Sequence, residues 1–182
     1  WQVVVDEYAK MGTEIKIMTV PYEFKGFMGM RNFVIEDTEG KKLAWANSNW
    51  THLDISTGLP ARLTPADTDN YVLGEKMEMD YAPRKIKLPE DMIAQEAFTV
   101  QKHHLDTNHH VNNCQYVCMA EDFLPESFKI YQMRAEYKMQ AKLGDVICPK
   151  VKTETDKVVV SLDNIEGKAY AIVEFLKKEG DI

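Results

Sequence analysis

The sequence predicts an α+β fold dominated by antiparallel sheet, and three observations carry that expectation. First, Tyr131, Met133, Ala135, Tyr137 and Met139 alternate with Gln132, Arg134, Glu136, Lys138 and Gln140, the pattern of a half-buried strand. Second, four β-rich runs separated by turn signals fill the first third of the chain. Third, an apolar stretch over Asn112–Leu124 is opened by amides and stopped by Pro125, as a helix would be.

In chain order, the first strands are expected at Gln2–Val5, Glu14–Val20, Met30–Glu36 and Lys42–Asn49. Asp37-Thr-Glu-Gly40 supplies a hairpin turn, since Gly40 can take the positive φ that such turns need. Gly26 and Gly29 flank Phe27-Met28 and suggest a bulge or a close approach by another backbone. Pro60, Pro65, Pro83 and Pro89 then punctuate a stretch without sustained period, read as an inter-domain connection. Within it, Thr64-Pro65 caps a short helix expected over Ala66–Leu73. Gln95–Lys102 reads as a strand, followed by the polar run His103–Asn113 and the helix Asn112–Leu124. On that helix Cys114, Val117, Cys118 and Leu124 fall near one face, widened by Phe123 and Met119, and the helix is expected to pack against a sheet on most of its surface. After the alternating strand come Val146–Glu154, Lys157–Leu162 and Lys168–Leu176, so the second half reads as strand, helix, then four strands in an antiparallel meander.

Composition sets the outer limits. A chain of 182 residues suits one large domain or two small ones, and 45% hydrophobic with 28% charged residues is that of a globular protein with a core. The net charge of −7 argues against nucleic acid as the main partner. No apolar run is long enough to span a bilayer and no signal-peptide pattern is visible. Three cysteines without framework spacing point to a reducing, cytoplasmic setting.

The stretch His103–Asn113 holds four of the five histidines, one carboxylate and three amides just ahead of the helix. Titratable groups crowded at a helix N-terminus are how active sites are commonly assembled, while a plain solvated loop is the bland alternative. An imidazole such as His110 can take a proton from water near neutral pH. An amide such as Asn108 can orient water or a carbonyl, and Asp106 can hold a ring nitrogen or the loop in place. The helix start at Asn112 and Asn113 offers free backbone N–H groups and the positive end of a dipole to a developing oxyanion.

Asp106-Thr-Asn108-His-His110-Val-Asn-Asn113 resembles the Asp-x-Asn-x-His-Val-Asn-Asn signature of acyl-acyl-carrier-protein thioesterases. Pro21–Phe33, Ala46–Trp50 and Asp54–Arg62 resemble first-domain segments of that family, so the likeness spans almost the whole chain. The resemblance implies two tandem hotdog domains, each an antiparallel sheet wrapped around a long helix. Residues 1–60 would be a partial first domain lacking its leading strand and central helix, 61–94 a linker, and 95–182 the catalytic domain. The chain opens on Trp1 already in strand-like sequence, so roughly a few tens of residues, enough for a strand and a helix, are expected to precede it.

The implied activity is hydrolysis of fatty acyl-acyl carrier protein, releasing free fatty acid and ending its synthesis, with no cofactor and no metal. Asp106, Asn108 and His110 are the implied catalytic positions. Plant members of the family carry a Glu-Cys pair on the strand after the helix, and Gln140 and Ala141 occupy those places here. That removes a cysteine nucleophile, and it leaves Gln140 to position water, because an amide is no base.

Other readings stay open. A hotdog thioesterase acting on coenzyme A thioesters fits the same motif. A non-catalytic acyl-binding or zinc-stabilised module is a third reading, because His110, Cys114 and Cys118 recur every fourth residue. Cys114 as a covalent nucleophile is a remoter alternative. His103 and His104 lie outside the motif and His109 at its variable position, so all three are expected to be bystanders. Pro83-Arg-Lys-Ile-Lys87 is either a solvated face or a docking patch for an acidic carrier protein. The ten methionines and the aromatics of the first third fit an acyl tunnel or an ordinary core equally well. Tandem hotdogs can mimic a dimer, and pairing into a homodimer is compatible with the sequence.

Overall fold

The structure is a computed structural model that describes residues 1–178. The chain divides into two compact units, the first Trp1–Ala82 and the second from Pro83 onward.

The first unit is built on β1 (Gln2–Val5), β2 (Ile15–Lys25), β3 (Met28–Asp37) and β4 (Lys42–Thr51). Their order is β2-β3-β4-β1, antiparallel throughout. β2 runs past the expected stop at Val20, straight through Pro21, because it lies at the end of this unit's strand order, where a missing N–H costs little. The register shifts between Pro21 and Glu23, so the bulge falls there and not at Gly26 or Gly29. Gly26 instead turns β2 into β3 with φ of 65°, and a Cβ on Gly29 would stand 3.1 Å from the Phe24 ring, a side-chain approach rather than a backbone one. Gly40 takes φ of 83° in the expected hairpin turn.

The expected helix after Thr64 is a single turn, α1 (Pro65–Thr68). Asp67 returns its carboxylate to the Thr64 N–H at 2.8 Å, but the chain then leaves the helix at Asp69. Residues 74–82 cross one face of the sheet. There Asn32 Oδ1 accepts from the Met77 N–H and the Tyr81 hydroxyl, while the Gln2 amide joins Asp80 O and the Ala82 N–H. The segment expected to be a linker is therefore shared: its residues up to Ala82 fall in the first unit and those after it in the second.

The second unit contains β5 (Ile93–Ala94), β6 (Phe98–Thr99), α2 (Asn113–Glu121), β7 (Gln132–Tyr137), β8 (Val146–Thr153), β9 (Lys157–Asp163) and β10 (Ala169–Leu176). The strand order is β7-β10-β9-β8-β5, with β6 also on β8. The simple four-strand meander is corrected here: β7 pairs with β10, so only β8, β9 and β10 follow one another in space. The expected strand Gln95–Lys102 shrinks to the two residues of β6, and Lys102–His104 form a 3-10 turn.

One sheet face is apolar. Val158, Val160 and Leu162 of β9 line up with Phe175, Val173 and Ala171 of β10, and all six are buried. At roughly 25 cal/mol per Å² this contiguous face supplies the unit's main stabilisation. Helix α2 lies against β9 and β10 and buries Tyr116, Met119 and Ala120. Cys114 and Cys118 are exposed, which corrects the expected helix packing at those two positions, while Met119 of the expected face is buried. The sheet takes the side carrying the large Tyr116 ring, which offers more apolar area than two thiols.

The other face of β7 was expected to meet water, yet it is covered by residues 83–92. Ile86 packs on Val159 and Ile172, its N–H donating to Glu136 Oε2 at 3.0 Å. Arg134 pairs with Glu174 at 2.7 Å, both side chains only 12% exposed, and also donates to the Pro83 and Lys85 carbonyls. Period-two alternation thus identified the strand but not what covers its charged face. No helix among the described residues is long and apolar enough to cross a membrane.

Candidate active site

The motif folds as a closed polar loop ahead of α2. Asp106 N–H donates to His110 O at 2.8 Å, and Asp106 Oδ1 accepts from the N–H groups of Asn108 (2.8 Å) and His110 (3.3 Å). Asx side chains make such turns because the short carboxylate reaches amides two to four residues on. His109 sits at the tight point with φ of 61°, left-handed backbone that a non-glycine residue adopts only where the surroundings demand it. Partial burial pushes the Asp106 carboxyl up, but the Asn108 and His110 backbone donors, with the Asn108 side chain and the His110 ring, bring it below its ordinary value. Asp106 is therefore a carboxylate at neutral pH, and its role here is to shape the loop that carries Asn108 and His110.

The helix start is organised by amides. Asn112 N–H is spent on His104 O at 2.9 Å, and the Asn112 side chain caps the helix by accepting from Cys114 N–H at 2.8 Å. Gln115 N–H goes to Asn112 O. Of the first amides, Asn113 N–H is the one left without a partner among the described residues. The unpaired donor thus sits at Asn113 rather than at Asn112.

A second segment lies alongside. Val111 N–H donates to Ala141 O at 2.9 Å, and His110 bridges Lys142 in antiparallel register. With His110 opposite Lys142 and Val111 opposite Ala141, the register sets the backbone of Gln140 across from Asn112, at the start of α2. Gln140 is exposed and His110 half-buried.

Two residues of this site had no role in the sequence reading. The Tyr116 hydroxyl accepts the Ala141 N–H at 2.8 Å, and the Tyr137 hydroxyl donates to Asn113 O at 3.0 Å. Burial raises the Tyr137 phenol above its ordinary value, with Cys114 and then Tyr116 adding to the effect, so it remains a donor. The only signal in the sequence was that both are tyrosines at positions where phenylalanine would pack as well.

His103 and His104 form the turn just ahead of the loop. His104 Nδ1 accepts from Gln101 N–H at 2.9 Å, and burial followed by neighbouring His103 lowers its pKa. Among the described residues no three His, Cys, Asp or Glu side chains come together as a metal site.

Comparison with known proteins follows the same outline. The model of the acyl-ACP thioesterase N-terminal domain matches residues 1–71, and that of the acyl-ACP thioesterase C-terminal domain matches residues 86–175. The chain is similar in structure to an acyl-ACP thioesterase from Bacteroides thetaiotaomicron, with a TM-score of 0.85 at 19% identity over 97% of this chain and 74% of that one. It is similarly close to a 12:0-ACP thioesterase from Umbellularia californica, with a TM-score of 0.84 at 17% identity over 97% and 72%. These likenesses bear out the fold of two tandem hotdog domains. No curated protein matches the sequence.

Proposed function

The chain belongs to the acyl-ACP thioesterase family and is a thioesterase, and from that premise we propose that it releases free fatty acid from acyl carrier protein, ending chain growth, with Asp106, Asn108, His110 and Gln140 as its working residues. One observation carries the assignment of the site: the loop closed by Asp106 presents His110 just ahead of α2, while the pairing of Val111 with Ala141 sets Gln140 across from Asn112 at the helix start.

In this reading His110 takes a proton from water as the water oxygen attacks the thioester carbonyl carbon. The charge that develops on the carbonyl oxygen meets the Asn113 N–H and the positive end of the helix. Asn108 and Gln140 orient water and carbonyl without titrating. The tetrahedral intermediate then collapses, the C–S bond breaks, and the imidazolium returns its proton to the departing thiolate.

The exposed cations Arg84, Lys85 and Lys87, on a strap held down by Ile86, offer a docking patch to an acidic carrier. Three free cysteines suit a reducing compartment, and we place the enzyme in the cytoplasm.

The test is side-by-side kinetics on acyl carrier protein and coenzyme A thioesters over a series of chain lengths. Carrier-bound substrates are expected to give the higher kcat/KM, and a preference for coenzyme A thioesters would overturn the substrate assignment. His110→Ala should lower kcat by about 10²- to 10⁴-fold, the usual contribution of a general base, with the far-UV circular dichroism unchanged. Activity retained in that variant would remove His110 from its role.

A further inference from the structure

We propose that Tyr116 is a positioning residue of the thioesterase: its hydroxyl fixes Ala141, and through Ala141 it holds Gln140 across from the start of α2, where the motif ends. The inference rests on the site assignment above and adds a residue to it.

Ala141 is fully buried, so both of its backbone polar groups need partners within the protein. Its carbonyl accepts from Val111 N–H, the residue after His110, and its N–H donates to the Tyr116 hydroxyl. Tyr116 itself is 2% exposed and stands on the face of α2 that meets the sheet. Ring packing alone would be met by phenylalanine, so the hydroxyl is the informative part of this side chain. Burial raises its pKa, which keeps the oxygen in the neutral form that both accepts and donates.

The backbone around Gln140 is tied down on both sides. Lys138 and Met139 both donate to Tyr170 O, at 2.8 and 3.2 Å, and Lys142 N–H donates to Asp145 Oδ2 at 2.9 Å. The Tyr170 hydroxyl reaches the same Asp145 oxygen at 3.3 Å. Between these anchors the Gln140 side chain is exposed and free to meet a ligand. The Tyr116 hydrogen bond is the tie that links this segment to the helix whose N-terminus opens at the motif. Without it, the Ala141 N–H is buried and unpaired, and the segment gains from opening toward water.

Tyr116→Phe isolates the hydroxyl and leaves the ring in place. It is expected to lower kcat by about tenfold, as small displacements of positioned groups do, while KM stays within about twofold. Amide hydrogen exchange at Ala141 should accelerate by about tenfold or more while the rest of the α2 amides keep their protection. In a double-mutant cycle with Gln140→Ala, the second substitution should add little to the first. A purely packing role would move neither Ala141 exchange nor the cycle. Unchanged kcat, or effects of Tyr116→Phe and Gln140→Ala that simply multiply, would overturn the inference. The two readings fail separately. An inactive His110→Ala variant beside a normal Tyr116→Phe variant removes only Tyr116, and an active His110→Ala variant removes the base while leaving the Tyr116 effect standing.

Discussion

Replacing Arg134 by Met tests whether the strap over the second unit is held by charge or by packing. Arg134 and Glu174 are 2.7 Å apart with side chains only 12% exposed, and the same guanidinium holds the Pro83 and Lys85 carbonyls. Met keeps most of the apolar stem and removes every donor, so Glu174 is left as a covered carboxylate without its partner. Breaking a buried pair from one side costs about 3–5 kcal/mol. The two carbonyls add little because they can turn to water. For a chain of this size about 2–4 °C of melting temperature follows each kcal/mol, so the unfolding midpoint should drop by roughly 6–20 °C. Thermal and urea unfolding followed by circular dichroism measure it. The double variant Arg134→Met with Glu174→Leu should recover most of the loss, since apolar replacements of a whole buried pair are often about neutral. A single variant that loses less than about 1 kcal/mol, or a double variant as unstable as the single, would show that the pair is not what fastens the strap.

Three further outcomes follow from the site. Asp106 has its folded pKa depressed below the unfolded value, so its contribution is fully present above about pH 3.9 and is lost as pH falls through the lower folded value. The Asn108 amide resonance should therefore titrate with a midpoint under about 3.9, and a midpoint above that would contradict the loop hydrogen bonds. Asn112→Ala removes the cap on Cys114 N–H and should cost about 1 kcal/mol in urea unfolding, with faster exchange at the start of α2. Unchanged stability would mean that water replaces the cap at no cost. Arg84→Glu combined with Lys85→Glu should raise KM for acyl carrier protein substrates and leave small acyl thioesters unaffected, and an equal effect on both would rule the patch out as a docking surface.

Much of the fold was visible in residues 129–176. Strands β7 to β10 declared themselves by alternation or by buried runs such as Val158–Leu162, and their bounds moved by only a few residues. Strand pairing was not visible, because alternation says which face a residue occupies and nothing about which neighbour it meets. The α2 face was misread for a related reason. Cys114, Val117 and Cys118, widened by Met119, gave a valid apolar stripe, but Met119 also lies beside Tyr116 and Ala120 on another, and only the sheet chooses between them. The β6 region failed differently, since Gln95–Lys102 has strand-like composition but meets β8 in pieces, through Gln95 N–H to Pro149 O and then the ladder at Phe98 and Thr99.

The sequence by itself determined the chemistry on offer. The motif from Asp106 to Asn113 places a carboxylate, amides and an imidazole within one short loop, and loop and cap hydrogen bonds form between neighbours in sequence. What only the tertiary structure decided was the rest of the site. Gln140 is set across from the start of α2 because Ala141 is paired with Val111 on one side and with Tyr116 on the other, contacts across 25 or more residues. Such contacts exist only once burial has left backbone N–H and C=O groups no partner but each other, and local sequence carries no record of that demand.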